Sequence, residues 1–257
     1  MKTIGILYVG IGPYINLWED FYRTCEQYFC KSCKKHYFIV TDKEIQGTDN
    51  LTIIHQDNLG WPCNVLFRYL FFLRIKQDLI KYDYLFFFNG NTRFKTEITE
   101  EEFLPTKDDE GLVALTWHNV DENSDSFGFE RREESSAFIP YGTKQIYLQS
   151  GITGGKSNDY LQLLETCHKM TMEDINHGVV PIAHDESIYN KYMMNHEAKI
   201  LDSTYGIPSQ WDKKHGAKIV FQRKEDILGR SWLRNYKGRE HTNTWIRKFL
   251  RKLHLIK

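Results

Sequence analysis

The chain has 257 residues, which is enough to bury a sizeable core in one large domain. Its 34 Lys and Arg residues balance 34 Asp and Glu residues, so the overall charge gives no indication of a nucleic-acid partner. No apolar run approaches the roughly 18 residues of a membrane-spanning helix, and the first residues resemble a strand more than a signal peptide, so we expect a cytoplasmic protein.

Apolar runs and helical spacings alternate along the first half of the chain. Strands are predicted at five places: Ile4–Val9, Tyr37–Val40, Leu51–Ile54, Tyr84–Phe88 and Leu112–Thr116. Helices are predicted from Leu17 to Tyr28 and over Trp61–Leu79, where Pro62 suits a first helical turn. The alternation favours an α/β fold with a mostly parallel sheet and helices on both of its faces.

The five cysteines are an odd number without regular spacing, which is typical of reduced thiols in the cytoplasm. Cys30 and Cys33 form one C-x-x-C pair, with Cys25 nearby. A structural zinc site needs two further ligands at matching spacing, and the sequence has no second C-x-x-C. We interpret these residues as ordinary thiols at the end of a helix.

The second half has a less regular pattern. A strand is predicted at Tyr147–Thr153 and is expected to end at Gly154 and Gly155. The next predicted helix has four residues on one face: Leu161, Leu164, Cys167 and His168. A helix, a loop and a last strand follow at Asp185–Asn195, Ser203–Trp211 and Lys218–Phe221. Because there is no internal repeat or linker, we predict one domain over residues 1–236 and a tail over residues 237–257.

The end of that tail, Trp245–Lys257 (WIRKFLRKLHLIK), combines an apolar helical face with five cations and no acid. This pattern is typical of an amphipathic helix that lies on anionic lipid, such as the inner face of the cell membrane. It fits a terminal helix that packs on the domain equally well.

The strand at Tyr84–Phe88 is followed directly by Asn89-Gly90-Asn91. Ligands usually bind where such a strand ends in an α/β sheet. Two carboxylates at this spacing would indicate a divalent metal, but two amides do not. Taken alone, an Asn-Gly pair is more often simply a tight turn.

The triplet His184-Asp185-Glu186 is a second candidate site. It fits a metal pair of a phosphohydrolase, although His168 and His177 do not supply a convincing ligand spacing. It also fits a helix start, since Asp caps helices and Glu is favoured in the first turn.

Four stretches together resemble glycosyltransferase family 6, which includes the blood-group A and B transferases and α-1,3-galactosyltransferase. They are FERREESSAFIP (Phe129–Pro140), QSGITGGK (Gln149–Lys156), AHDESIYNKYMMNH (Ala183–His196) and QWD (Gln210–Asp212). The HDES-x-x-N-K-Y pattern with E-R-R upstream is the most specific part. The resemblance extends from Ile4 to about Arg230 and does not cover the tail.

The resemblance implies a GT-A fold, in which a Rossmann-like nucleotide-binding half is fused to an acceptor-binding half within a single catalytic domain. It implies transfer of N-acetylgalactosamine or galactose from the UDP-sugar, with retention, to O3 of a β-galactoside. Blood-group-type members use an α-1,2-fucosylated acceptor. The implied partners are therefore UDP-GalNAc or UDP-Gal and a fucosylated β-galactoside.

The resemblance also assigns the site residues. Glu186 matches the catalytic carboxylate. Donor contacts are implied for nine residues: Tyr8, Tyr14, Arg68, Asn89, Asn91, Gly151, Asp185, Lys224 and Arg230. Acceptor contacts are implied for His184, Asp212 and Gln149. Gly151 falls at the position where, in this family, the size of a small residue affects the room for the 2-acetamido group, so the resemblance favours N-acetylgalactosamine over galactose.

One departure from the family concerns the metal. Asn89 and Asn91 occupy the two acidic positions of the D-x-D motif that holds Mn²⁺ in the animal enzymes. A hard divalent cation prefers charged oxygen ligands, so we expect a metal-independent enzyme without a cofactor, in which Lys224, Arg230 and Arg68 neutralise the diphosphate. The alternative function is a carbohydrate- or nucleotide-binding protein that has lost catalysis together with its D-x-D.

Overall fold

The computed structural model describes residues 1–105, 111–117, 124–212 and 216–229. Seven strands form a central sheet in the order β3-β2-β1-β4-β7-β6-β8. They are β1 (Thr3–Val9), β2 (Lys34–Thr41), β3 (Leu51–His55), β4 (Tyr84–Phe88), β6 (Leu112–Thr116), β7 (Leu148–Lys156) and β8 (Lys199–Leu201). β7 runs antiparallel to its neighbours β4 and β6, and the other pairs in this sheet are parallel. The predicted α/β architecture is thus confirmed.

Strand β4 is buried on both faces, which explains its unbroken apolar sequence. Phe86 and Phe88 point to one face, where they join an aromatic cluster under α1 (Trp18–Tyr28). Leu85 and Phe87 point to the other face, which is covered by helices α3, α6 and α7. These helices are α3 (Arg68–Leu73), α6 (Ser157–Asn176) and α7 (Asp185–Met193).

Two details of the prediction are wrong. Gly154 and Gly155 do not end β7 but lie inside it. Glycine is needed at both positions because a side chain there would collide with the neighbouring strands. A Cβ on Gly154 would lie 2.2 Å from the Phe86 ring, and one on Gly155 would lie 2.1 Å from the Gly111 carbonyl oxygen.

The single long helix predicted over Trp61–Leu79 is also wrong. The segment forms three short helices, α2 (Cys63–Leu66), α3 and α4 (Lys76–Leu79). The first break is at Phe67, whose φ of −93° and ψ of 7° are not helical. Phe67 and Arg68 are both buried, and Arg68 bonds to β7, so tertiary contacts override the helical pattern.

A small second sheet flanks the carboxyl end of β4. It contains β5 (Thr92–Phe94), β9 (Ile207–Pro208) and β10 (Ile219–Phe221), and the short helix α8 (Lys224–Leu228) follows β10. β9 and two short 3₁₀ turns occupy the predicted loop Ser203–Trp211. A short helix α5 (Glu100–Phe103) precedes β6.

The five cysteines are all free and buried. Among the described residues, no three His, Cys, Asp or Glu side chains gather as they would to hold a metal ion. In the same part of the chain, no helix is both long and apolar enough to cross a bilayer. The predicted tail and the boundary at residue 236 lie outside the described residues.

Candidate active site

The site is built around a bulge in β7. β6 pairs with β7 at Ala114 and Thr153, but its next residue, Leu115, pairs with Gln149, so residues 150–152 of β7 have no partner on β6. Bulges of this kind are frequent beside active sites, because they free backbone groups and redirect side chains. Here the bulge leaves the N–H and the carbonyl of Ser150 available to the helices.

The Ser150 N–H donates to Oε2 of Glu186 at 2.8 Å, and the Tyr147 hydroxyl donates to Oε1 at 2.6 Å. Both oxygens of the Glu186 carboxylate are therefore fixed. Burial raises the pKa of Glu186 above its ordinary value of 4.5, while the hydrogen bonds from Ser150 and Tyr147 counteract this rise. The result is an oriented carboxylate that is a stronger base than an exposed one.

The carbonyl of the same Ser150 accepts a hydrogen bond from Nη1 of Arg68 at 3.1 Å. This nitrogen lies 2.9 Å from Oδ2 of Asp185, and both side chains are almost fully buried. The guanidinium also lies over the Phe87 ring, 4.3 Å from its centre. Ser150 thus connects the two adjacent acids. Its N–H binds Glu186 directly, and its carbonyl binds Arg68, which in turn pairs with Asp185.

Nη2 of Arg68 is buried and has no hydrogen-bond partner in the described part of the chain. A buried donor of this kind calls for an explanation, since native structures satisfy most of them. Arg68 lines a cavity of about 350 Å³, so a ligand in that cavity is a physical explanation for the unpaired nitrogen.

Helix α7 is fixed to β7 by Asn190, which is fully buried. Its amide nitrogen donates to the carbonyls of Glu186 and Leu148, and its oxygen accepts from the Leu148 N–H, all at 2.9 Å. His184 precedes the helix with a positive φ of 55°, and its ring packs edge-on against Trp61. This turn directs the next two residues, Asp185 and Glu186, toward the sheet.

The E-R-R motif lies against the HDES motif. Glu130, which is 2% exposed, accepts hydrogen bonds from Arg132 and from the N–H of Ile182, at 2.6 and 2.7 Å for its Oε2. Ile182 is two residues before His184. The fixed order of the two motifs in the sequence therefore has a structural reason, because Glu130 holds the segment from which α7 begins.

The cavity collects five of the residues predicted to contact the donor: Tyr14, Arg68, Asn89, Asp185 and Lys224. Nζ of Lys224 lies 5.3 Å from the centre of the Tyr14 ring. Burial lowers the pKa of Lys224 below its ordinary value of 10.5, and the nearby Glu225 and Asp185 partly offset this. The site therefore presents a partly desolvated cation near an aromatic ring, which suits a nucleoside diphosphate.

Asn91 has a different position from Asn89. It is 6% exposed, and its Nδ2 donates to the carbonyl of Gln222 at 2.8 Å, while Oδ1 is buried and unpaired among the described residues. The two amides offer neutral oxygens where a hard cation prefers carboxylates. The donor set at Asn89 and Asn91 does not fit Mn²⁺.

The other predicted donor contacts lie elsewhere. Tyr8 is fully buried, and its hydroxyl donates to the Gly90 carbonyl at 3.1 Å, so it supports the Asn89–Asn91 turn. A side chain at position 151, where Gly151 has none, would point at the Phe221 ring. Arg230 lies outside the described residues. The contacts that the resemblance assigns to these residues stay predictions.

The predicted acceptor contacts are not brought together. Gln149 is buried and donates to the carbonyls of Thr116 and Gly206 at 2.9 and 3.1 Å. Asp212 pairs with Lys95 in a separate groove of about 430 Å³. The arginines of this groove form ion pairs with nearby acids as well. Of the three, only His184 adjoins Asp185 and Glu186.

Comparisons with known proteins identify the family of this chain. Residues 69–226 match the model of glycosyltransferase family 6. The chain belongs to this family. It is 30% identical over 238 residues to the O-antigen biosynthesis glycosyltransferase WbnI of Escherichia coli, covering 91% of this chain and 99% of that protein.

More distant relatives come from vertebrates. The chain is 26% identical to histo-blood group ABO system transferase 2 of Rattus norvegicus and 22% identical to globoside alpha-1,3-N-acetylgalactosaminyltransferase 1 of Gallus gallus. Each alignment covers 82% of this chain, but only 64% and 62% of the relative. The predicted family and the GT-A-like α/β fold are confirmed, and the protein is a glycosyltransferase, which acts on a nucleotide-sugar donor and a carbohydrate acceptor.

Sequence reasoning missed Tyr147, Ser150 and Asn190. Asn190 was visible as the Asn of HDES-x-x-N-K-Y, and Tyr147 as the first residue of the predicted strand. Neither pattern indicates a bond to Glu186, because that bond depends on how β7 pairs with its neighbours.

Proposed function

We propose that this protein is a retaining glycosyltransferase that transfers N-acetylgalactosamine, or galactose, from the UDP-sugar in α-1,3 linkage to a β-galactoside, without a metal ion. The proposed acceptor is an α-1,2-fucosylated, blood-group H-like galactoside. The observation that carries the proposal is the position of Asp185 and Glu186. Both are fixed through Ser150, and Asp185 and Ser150 line the same cavity as Lys224. The name of the Gallus gallus relative, an alpha-1,3-N-acetylgalactosaminyltransferase, supports the donor and the linkage.

The cavity residues suggest how the donor binds. Tyr14 and the hydrocarbon part of the cavity receive the nucleoside, and the Lys224 ammonium faces the diphosphate. A fixed cation about 4 Å from a phosphate contributes roughly 4 kcal/mol at an effective dielectric constant near 20. Lys224, Arg68 and Arg230 together supply the positive charge that a metal supplies in the animal enzymes.

Asp185 and Arg68 act on the sugar in this proposal. The ion pair with Arg68 holds the Asp185 carboxylate in place, where it accepts hydrogen bonds from sugar hydroxyls. The unpaired Nη2 of Arg68 is a further donor to the same ligand.

Glu186 acts at the anomeric carbon. The bond between C1 and the phosphate oxygen breaks, UDP leaves with the electron pair, and positive charge develops on C1. Glu186 either attacks C1 to form a covalent intermediate, from which the acceptor O3 then displaces it, or stabilises this charge while O3 enters on the face that UDP leaves. In both routes the proton of the acceptor hydroxyl passes to the departing UDP. Both routes give retention.

Product analysis tests the proposal. Purified protein is incubated with UDP-GalNAc or UDP-Gal and with a β-galactoside that has or lacks the α-1,2-linked fucose, and the product is examined by ¹H NMR. We expect an α-1,3-linked product, formed faster from UDP-GalNAc and the fucosylated acceptor. UDP binding in calorimetry without a product from any pair would favour the alternative of an inactive binding protein.

A further inference from the structure

The ring of Phe221 lies between two glycines that belong to different parts of the fold. A Cβ added to Gly151, in the bulge of β7, would lie 2.7 Å from Cζ of Phe221. A Cβ added to Gly206, just before β9, would lie 3.0 Å from Cε2 of the same ring and 2.4 Å from Cδ2 of Leu115. None of these distances is compatible with an undisturbed side chain, so the ring uses the space that both glycines leave.

Backbone conformation does not explain these glycines. Gly206 has a φ of 178°, which is extended backbone that any residue adopts, and Gly151 lies in a strand without a positive φ. The space for the Phe221 ring is therefore the physical reason for a small residue at position 151 in this chain.

Phe221 connects two halves of the proposed site. It is the last residue of β10, and Gln222 follows, bound to Asn91 by two hydrogen bonds of 2.8 Å. Lys224 then begins α8 and lines the donor cavity. On the other side, Gly151 adjoins Ser150, whose N–H binds Glu186.

We propose that Phe221 is a positioning residue that sets the place of Lys224 over the donor diphosphate by packing against Gly151. The size of residue 151 then acts on the donor through Phe221 and β10, and not only through room for a 2-acetamido group. The inference rests on the proposed function, since it assigns the diphosphate to the Lys224 side of the cavity.

The two effects of residue 151 are separable because UDP has no sugar. If position 151 acts only on the sugar, Gly151→Ala changes the choice between UDP-GalNAc and UDP-Gal but leaves UDP affinity unchanged. If it acts through Phe221, the added methyl group displaces the ring and Lys224, and UDP affinity itself falls.

The experiment is a double-mutant cycle read by calorimetry with UDP and by donor kcat/KM. We expect Gly151→Ala to raise the Kd for UDP about 3- to 10-fold, in line with typical couplings between residues in contact. Adding Phe221→Leu, which removes the ring atoms nearest to Gly151, should bring the Kd of the double variant close to that of Phe221→Leu alone. Ile219→Val, in the same strand but inside the core, is the control and should leave UDP affinity unchanged.

Unchanged UDP affinity in a folded Gly151→Ala variant would overturn the inference, as would fully additive effects in the cycle. If Gly151→Ala does not fold, Phe221→Leu alone decides: weaker UDP binding supports the inference, and wild-type binding contradicts it. Wild-type protein that binds UDP but forms no glycoside would contradict the proposed transfer and leave this test valid. Wild-type protein that does not bind UDP would contradict both.

Discussion

The carboxylates of α7 and the ammonium of Lys224 belong to the same site but are held in different ways. Glu186 receives a hydrogen bond on each oxygen, and its helix is fixed to β7 by the fully buried Asn190. Lys224 instead begins a five-residue helix, and its Nζ lies 5.3 Å from the centre of the Tyr14 ring.

This difference matches the two tasks of a glycosyl transfer. Charge at the anomeric carbon changes within one reaction step, and a preorganised group stabilises it without reorganisation. The diphosphate must enter and leave in every turnover, and loosely held segments over phosphates commonly serve this purpose. The rigid carboxylate is therefore expected to determine kcat, and the less constrained cation is expected to determine UDP affinity.

Replacing Glu186 should have the largest effect. Glu186→Gln keeps the shape of the side chain but removes the charge, so kcat should fall by about 10²- to 10⁴-fold with little change in donor or acceptor affinity. Steady-state kinetics with both substrates measures this. Glu165→Gln, an exposed acid of α6 paired with Lys76, is a matched control that should keep wild-type rates. An active Glu186→Gln variant would remove Glu186 from the centre of the mechanism.

Asp185→Asn should differ from Glu186→Gln in its kinetic pattern. It leaves the buried Arg68 without its charged partner and weakens the proposed contact with the sugar hydroxyls. We expect both a lower kcat and a higher donor KM. A change in kcat alone would argue against a role of Asp185 in holding the sugar.

Lys224→Ala should follow, with an effect mainly on UDP. Loss of the cation facing the diphosphate should raise the Kd for UDP by roughly 10- to 100-fold. Lys224→Arg keeps the charge and should recover most of the affinity. Because burial lowers the pKa of Lys224, wild-type UDP binding should weaken at a lower pH than the ordinary lysine pKa of 10.5, whereas binding by Lys224→Arg should not. Equal affinity in Lys224→Ala and wild type would place the diphosphate elsewhere.

Tyr147→Phe should have a smaller effect, near 10-fold in kcat, since one hydrogen bond to a charged group is lost. That bond lowers the pKa of Glu186, so its removal should raise this pKa further. Glu186 must be ionised to act, and the acid limb of the pH–rate profile should therefore move to higher pH. A profile that keeps its wild-type position would show that Tyr147 does not control the ionisation of Glu186.

Removing Trp245–Lys257 should have the smallest effect on the reaction. If this segment lies on lipid, the shortened protein keeps its soluble activity but sediments less with anionic vesicles. Neutral vesicles serve as the control. Loss of folding after truncation would instead favour the interpretation that the helix packs on the domain.

The sequence alone predicts the parts of this molecule that depend on local pattern. The apolar run of β4 and the alternation of strands and helices gave the sheet, and the HDES motif gave Asp185 and Glu186 through resemblance to the family. The position of Gly154 and Gly155 inside β7 was not predictable in this way, because it depends on contacts with Phe86 and Gly111.

The hydrogen bonds around Glu186 were likewise not predictable, because they too depend on neighbouring strands. They arise from the register between β6 and β7, which leaves Ser150 unpaired, and a single strand does not encode that register. The helical pattern of Trp61–Leu79 is overridden at Phe67 by burial and by the bond between Arg68 and Ser150. The candidate carboxylates Asp185 and Glu186 were thus predictable, whereas the residues that orient them were not.

We propose that protein cations, and not a metal, balance the charge of the leaving UDP at a site with Asn89 and Asn91. The most direct test is the initial rate of transfer from UDP-GalNAc to the fucosylated β-galactoside in excess EDTA and in added Mn²⁺. We expect the same rate in both conditions, because two neutral amides offer a hard cation little affinity. A rate that vanishes in EDTA and returns with Mn²⁺ would contradict it.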